Sequence, residues 1–144
     1  MRRGGSPLYH SLIPSESVSL MVGSRRTCQV GPIDIEVTSL HEAVQCTLSD
    51  ALSKRGIDVH FANAWSITLA NDDDGVGESF RGGRTYPDGK SAVWAMRWLR
   101  RSDRGIRPGH VNGHAFFERV LQGGVALGVR HYFLGNTPQT LDKL

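Results

Sequence analysis

The chain has 144 residues, 39% hydrophobic and 22% charged, with a formal net charge of +3 at pH 7, which suits one small domain with a packed core and excludes a globally disordered polypeptide. No run of about 18 apolar residues occurs, which excludes a membrane-spanning helix, and the two cysteines, Cys28 and Cys46, match no zinc or redox spacing and read as reduced, buried thiols of a cytoplasmic protein. The basic excess suits anionic partners such as nucleotide diphosphates, phospholipid head groups or nucleic acid, and does not choose among them.

Residues 1–26 are rich in Gly, Ser, Arg and Pro and have no stable period, so they read as a flexible leader. Ser, Pro and Glu interrupt the apolar residues between Leu8 and Val22, which argues against a signal peptide. In residues 30–37, Ile33, Ile35 and Val37 alternate with Asp34 and Glu36, the period of a half-buried strand. Thr38 or Ser39 then caps a helix, with Glu42 placed as a capping-box partner of Ser39. The helix that follows is expected to run to about Arg55, with Leu40, Ala43, Val44, Thr47, Leu48, Ala51 and Leu52 on its apolar face and Gly56 as its end.

Residues 57–62 predict a second strand, and Asn63 can cap a helix over residues 64–70. Residues 71–83 are acidic, then Gly-rich, and predict a loop, with room for a short helical turn around Glu78 and Phe80. A third short strand over residues 84–86 is broken by Pro87-Asp88-Gly89. A strongly helical segment follows over residues 90–101, with Val93, Trp94, Met96, Trp98 and Leu99 as its apolar positions. After a Gly- and Pro-containing loop, residues 115–127 return to helix, and residues 129–134 predict a fourth strand. Gly135-Asn136-Thr137-Pro138 is a tight turn that suits the start of a further helix from Gln139. Strands alternating with helices predict an α/β fold with a mainly parallel sheet flanked by helices.

In an open parallel sheet, ligands bind beyond the C-terminal ends of the strands. Asn63, Asp88 and Gly135-Asn136-Thr137 all fall there. Asp88 is the sharpest candidate, because Pro87 fixes the backbone before it and Gly89 lets the chain turn at once into a helix. A carboxylate held at such an elbow can act as a general base. The competing reading is a plain cap on the helix beginning at Lys90, and the tripeptide taken alone favours the cap. Asn63 has the same two readings, a polar contact to a sugar or nucleotide against a helix cap. The turn at Gly135 resembles an anion site at a helix N-terminus but lacks the G-x-G-x-x-G spacing of a dinucleotide fingerprint.

His110 and His114 have the spacing of two ligands on one helical face, but the H-E-x-x-H pattern is absent, so they read as solvent-facing loop residues and no metal site is expected. The arginines from Arg97 to Arg107 fit a solvated face or a diphosphate or membrane-surface contact equally well. Trp94 and Trp98 read as a core-facing or domain-facing stripe rather than a stacking platform.

The stretches VGPIDIEVTSLHEAV, IDVHFANAWSITLAN, TYPDGKSAVWAMRWL and HAFFERVLQGGVALGVRHYFLGNTPQTLDKL, in this order, resemble the WecG/TagA/CpsF family of bacterial glycosyltransferases. The resemblance covers residues 28–144 and implies a Rossmann-like domain. It also implies transfer of an N-acetylmannosamine-type sugar, with inversion, from a UDP-sugar donor to a polyprenyl-diphosphate-linked sugar acceptor, specifically an undecaprenyl carrier, at the cytoplasmic membrane face. Such products feed teichoic acid, surface polysaccharide or exopolysaccharide. No metal or other cofactor is implied. Carried over, Asp88 is the catalytic base and Asn63 an active-site contact, with Gly89, Arg107, His110, Gly135, Asn136 and Thr137 as further substrate-binding candidates.

The chain departs from the family pattern at three places. Phe61 stands where many relatives carry Thr, His110 where Arg is usual, and Ala115 where Asp is usual. Members of the family continue past the position of Leu144, so residues 27–144 are expected to be the N-terminal part of such a domain, truncated at the C-terminus. The competing class is a non-catalytic remnant or nucleotide-sugar-binding module of the same fold. A nucleic-acid binder rests on net charge alone and ranks last, so no nucleic-acid partner is expected.

Overall fold

The computed structural model describes residues 25–102, 105, 107–135, 137 and 139. Residues 1–24 of the expected leader, and most of the helix expected from Gln139, lie outside the described residues. The architecture is mixed α/β. The described residues form two small sheets, one antiparallel (β1, Thr27–Val30, with β2, Ile33–Glu36) and one parallel (β3, Val59–Ala62, with β4, Arg84–Pro87). With them go helices α1 (Leu40–Leu52), α2 (Ala64–Asp72), α3 (Asp74–Ser79), α4 (Lys90–Leu99) and α5 (Gly113–Ala126).

The strand expected over residues 30–37 is two strands instead. Gly31 adopts φ 60, a backbone conformation that only Gly takes without penalty, and the chain folds back so that Val30 pairs with Ile33 and Thr27 with Glu36. Alternation in 33–37 was readable, but the strand it pairs with precedes it in the chain, and a two-residue turn is all that separates them. Arg25 and Arg26 are tied to this hairpin. Arg25 forms an ion pair with Glu36, and the Arg26 carbonyl accepts from the Val37 N–H.

The capping box at Ser39 and Glu42 forms as the spacing predicts, the Ser39 Oγ accepting from the Glu42 N–H and Glu42 accepting from the Ser39 N–H. The helix stops at Leu52 rather than Arg55, because Lys54 turns to φ 54. Ala51 and Leu52 are therefore exposed, and the buried stripe is Ala43, Val44 and Leu48. The expected loop over residues 71–83 contains α3, started by the Asp73 carboxylate accepting from the N–H groups of Gly75 and Val76. The acidic run concealed this start, since a capping Asp and a solvated Asp look alike in sequence.

Among the described residues only β3 and β4 pair in parallel, in the register Val59 with Arg84 and Ala62 with Pro87. Successive residues of these strands serve two cores. Phe61 and Tyr86 meet Ala43, Val44 and Leu48 of α1 and Phe116 of α5. Ala62 joins Ala70 of α2, Met96 of α4 and the apolar residues of the hairpin. Residues 129–134 are not a strand. Tyr132 and Leu134 are exposed, and no described strand lies alongside to complete a ladder. Trp94, Trp98 and Leu99 are exposed too, so the buried face of α4 is Ala92, Val93 and Met96. Of the two directions expected for the tryptophan stripe, core-facing or domain-facing, the first is thereby corrected.

β2 packs beside β4, and the contact carries a charge cluster. Arg84 donates to Asp50 at 2.5 Å and to Glu36 at 3.0 Å, with all three side chains close to buried. Burial by itself would lower the Arg84 pKa, but the hydrogen bond to Asp50 and the charge of Glu36 outweigh it and raise the value above its usual one.

Candidate functional site

The site lies at the C-terminal ends of β3 and β4. Asn63 directly follows Ala62, Asp88 directly follows Pro87, and Ala62 and Pro87 are register partners. The ladder continues one bond further, because the Asp88 N–H donates to the Ala62 carbonyl at 2.8 Å. Asp88 is thus held by a sheet bond and not by a loop. Gly89 next takes φ 88, and the chain turns into α4. The carboxylate of Asp88 does not cap that helix. The N-cap is Gly89, and it has no side-chain cap bond. The structural employment that competed for Asp88 in the sequence is absent.

Asn63 behaves differently. It is the N-cap of α2, its Oδ1 accepting from the Ser66 N–H at 3.0 Å while the Ser66 hydroxyl returns a bond from the Asn63 N–H. The capping reading is correct, and the position still adjoins the site: a Cβ built on Gly89 would lie 3.9 Å from the Cβ of Asn63.

The third member comes from the loop before α5. His110 Nε2 is 3.4 Å from the Asp88 Oδ1, with both side chains partly exposed. Three features hold His110 there. The Gly109 N–H donates to the Thr38 carbonyl at 2.9 Å, the Val111 N–H donates to the Pro87 carbonyl at 2.9 Å, and Val111 is fully buried. Gly109 passes so close to α1 that an added Cβ would stand 3.2 Å from the Thr38 carbonyl oxygen. Arg97 secures the other side of the loop, donating from Nε and Nη2 to the Pro108 carbonyl. Below the loop, Phe61, Tyr86 and Phe116 form an aromatic cluster with ring centroids 5.1 to 6.2 Å apart, a rigid floor under the Asp88 elbow. Burial pushes the Tyr86 hydroxyl pKa well above its ordinary value, and this hydroxyl donates to the Ala43 carbonyl.

The other candidates separate. Arg107 is exposed three residues before His110. His114 sits on the first turn of α5 and faces Glu118 across a helical turn, so it does not join His110. No group of three or more His, Cys, Asp or Glu that could hold a metal ion occurs among the described residues. Gly135 and Thr137 are exposed on the segment after α5 and take no part in the Asp88–His110 contact, and Asn136 lies outside the described residues.

Sequence reading missed two contributors. The backbone bonds of Gly109 and Val111 have no side-chain signature, although Gly109 itself was a legible sign of close approach.

An acidic side chain backed by a rigid sheet, free of capping duty and beside an imidazole can accept a proton from a hydroxyl group brought to it. The model of the Glycosyl transferase WecG/TagA/CpsF family matches residues 28–144. No curated protein and no solved structure matches the chain significantly.

Proposed function

The chain belongs to the WecG/TagA/CpsF family of glycosyl transferases, and on that premise we propose that it transfers an N-acetylmannosamine-type sugar from a UDP donor to a polyprenyl-diphosphate-linked sugar, with inversion, using Asp88 as the base. The observation that carries this reading is the Asp88 carboxylate at the end of a parallel strand pair, uncommitted to the helix after it and 3.4 Å from His110.

In the proposed step the acceptor hydroxyl oxygen bonds to the anomeric carbon as the bond from that carbon to the UDP oxygen breaks. UDP leaves with the electron pair, and the hydroxyl proton passes to Asp88. General-base help of this kind is worth about 10²–10⁴-fold in rate. His110, at the position where relatives carry Arg, orients the Asp88 carboxylate and contacts the acceptor. Asn63 and Gly89 border the sugar. The departing diphosphate charge is met by Arg107, on the loop that carries His110. On the same reading β3 and β4 are central strands of a Rossmann-like sheet, and the protein works at the cytoplasmic membrane face, contacting it peripherally. The products supply teichoic acid or a surface polysaccharide.

The test is Asp88→Asn, assayed for UDP release with a UDP-sugar donor and a polyprenyl-diphosphate-linked acceptor. The expected result is unchanged UDP binding with turnover lower by about 10²-fold or more. Transfer at close to the parental rate overturns the role of Asp88. Donor binding by the parental protein without any turnover favours a nucleotide-sugar-binding module instead.

A further inference from the structure

From the exposed face of α4 we propose that this helix docks the protein on an anionic lipid surface, lying in the head-group layer with Trp94 and Trp98 inserted. The proposal deepens the reading above by naming how the site reaches a lipid-anchored acceptor, and it rests on that reading for its purpose only.

The outward residues of α4 and its C-terminal end are Lys90, Trp94, Arg97, Trp98 and Arg101. Their spacing puts them on one side of the helix, with the two tryptophans about 6 Å apart along the axis. Trp94 is 76% and Trp98 65% exposed. Water is a poor solvent for two such neighbours one turn apart on a short helix. Their buried counterparts Ala92, Val93 and Met96 already fill the inner face, so α4 has no rotation that hides both sides.

The helix itself carries charge of one sign only. No Asp or Glu occurs from Lys90 to Ser102, and the guanidinium of Arg101 stacks 4.9 Å from the centre of the Trp98 ring. Arg97, through its bonds to Pro108, brings the loop that carries Arg107 against the same helix. Tryptophan flanked by Lys and Arg is the composition that sits at a bilayer interface, ring at the head-group level and cations on the phosphates. A single-stranded nucleic acid would also stack on the rings, and the RNA and vesicle arms of the experiment below separate the two. No helix among the described residues is long and apolar enough to cross a membrane, so contact is interfacial.

Position gives the face its meaning. Lys90 is two residues from Asp88, so the stripe begins at the site and runs away from it. A protein lying on α4 holds the Asp88–His110 pair at the level of the lipid phosphates, where a polyprenyl-linked diphosphate is anchored.

The experiment is co-sedimentation with phosphatidylcholine vesicles, with and without phosphatidylglycerol, neither containing a polyprenyl lipid. The protein is expected to bind the anionic vesicles, with a blue shift of tryptophan emission retained in Trp65→Phe. The variant Trp94→Ser/Trp98→Ser is expected to keep its circular dichroism spectrum and bind at least about 10-fold more weakly. Arg101→Gln is expected to lose about fivefold, the worth of one surface cation. Equal binding by the double variant, no preference for phosphatidylglycerol, or binding to RNA but not vesicles each overturns the proposal. Binding only after a polyprenyl-diphosphate sugar is added also overturns it, while supporting the function proposed above. If the Trp94→Ser/Trp98→Ser variant also loses its fold, brominated lipid quenching of the Trp65→Phe protein decides: quenching supports insertion, and its absence overturns it.

Discussion

The Val111 N–H donates to the Pro87 carbonyl at 2.9 Å, and this bond makes the loop before α5 a neighbour of β4. Pro87 cannot donate, but its carbonyl can accept, and Val111 takes it one residue before the chain reaches Asp88. His110 consequently faces a residue 22 positions earlier in the chain. The site depends on a loop pinned on both sides, and the pins can be tested separately from the chemistry.

Gly109→Ala tests the pin on α1. Its Cβ would press on the Thr38 carbonyl at 3.2 Å and the Ser39 Cα at 3.4 Å, both backbone atoms with little freedom to move. The loop is expected to shift, at a cost of about 1–3 kcal/mol, with turnover falling more than donor affinity. Thermal denaturation and steady-state kinetics check both, and a variant with unchanged melting temperature and turnover would show that the loop yields freely.

Asn63→Asp separates capping from binding. Aspartate keeps the acceptor that the Ser66 N–H needs, so stability should change by less than about 0.5 kcal/mol, whereas Asn63→Ala should lose about 1 kcal/mol. The new carboxylate lies beside Asp88 and removes the amide donor, and KM for the donor sugar is expected to rise. If urea denaturation and kinetics show both variants to differ in stability alone, Asn63 is only a cap.

Arg84→Met breaks the charge cluster between β2, β4 and α1. Glu36 keeps Arg25 at 2.9 Å and Asp50 keeps Arg55 at 3.8 Å, so neither acid is wholly abandoned. The loss should therefore fall at or below the lower end of the range for an orphaned buried charge, about 3 kcal/mol. Urea denaturation at neutral pH reads it, and a loss under about 0.5 kcal/mol would mean that Arg25 and Arg55 carry the load.

Alkaline pH should destabilise the fold through groups that burial keeps neutral. Burial raises the Tyr86 hydroxyl from its usual 10.0 and the thiols of Cys28 and Cys46 from 9.0. A folded-state pKa above the unfolded one contributes stability that is complete below the unfolded value and lost as pH rises through the folded one. Stability is thus expected to hold to about pH 9 and to decline above it, more steeply past 10 where Tyr86 joins. Tyr86→Phe forfeits the bonds to Ala43 and Thr47 and starts lower, but its decline above pH 10 should be shallower. Parallel pH curves for the two proteins would show that another group governs the transition.

Local rules settled much of this molecule without reference to the rest of the chain. The Ser39–Glu42 capping box, the cap at Asn63 and the helix after Gly89 depend on residues within four positions of one another, and each formed where its own chemistry points. Asp88 was legible for the same reason, since Pro before it and Gly after it constrain the backbone whatever surrounds them.

Three matters lay beyond local rules. Whether Asp88 capped its helix turned on the φ of Gly89 and the sheet bond to Ala62, and the second of these joins residues far apart in the chain. Which face of α4 was inner turned on Met96 packing among the apolar residues of the hairpin and Ala70 of α2, with Ala92 and Val93 also buried, a packing outcome that left the larger tryptophans outside. A strand over residues 129–134 needed a partner to take its backbone hydrogen bonds, and β-propensity supplies none. What the sequence by itself determined was the set of short-range conformations and the family they belong to. The tertiary structure alone decided which side chains met, because contact between distant residues is set by the competition of all faces for one core, and no local pattern records the result of that competition.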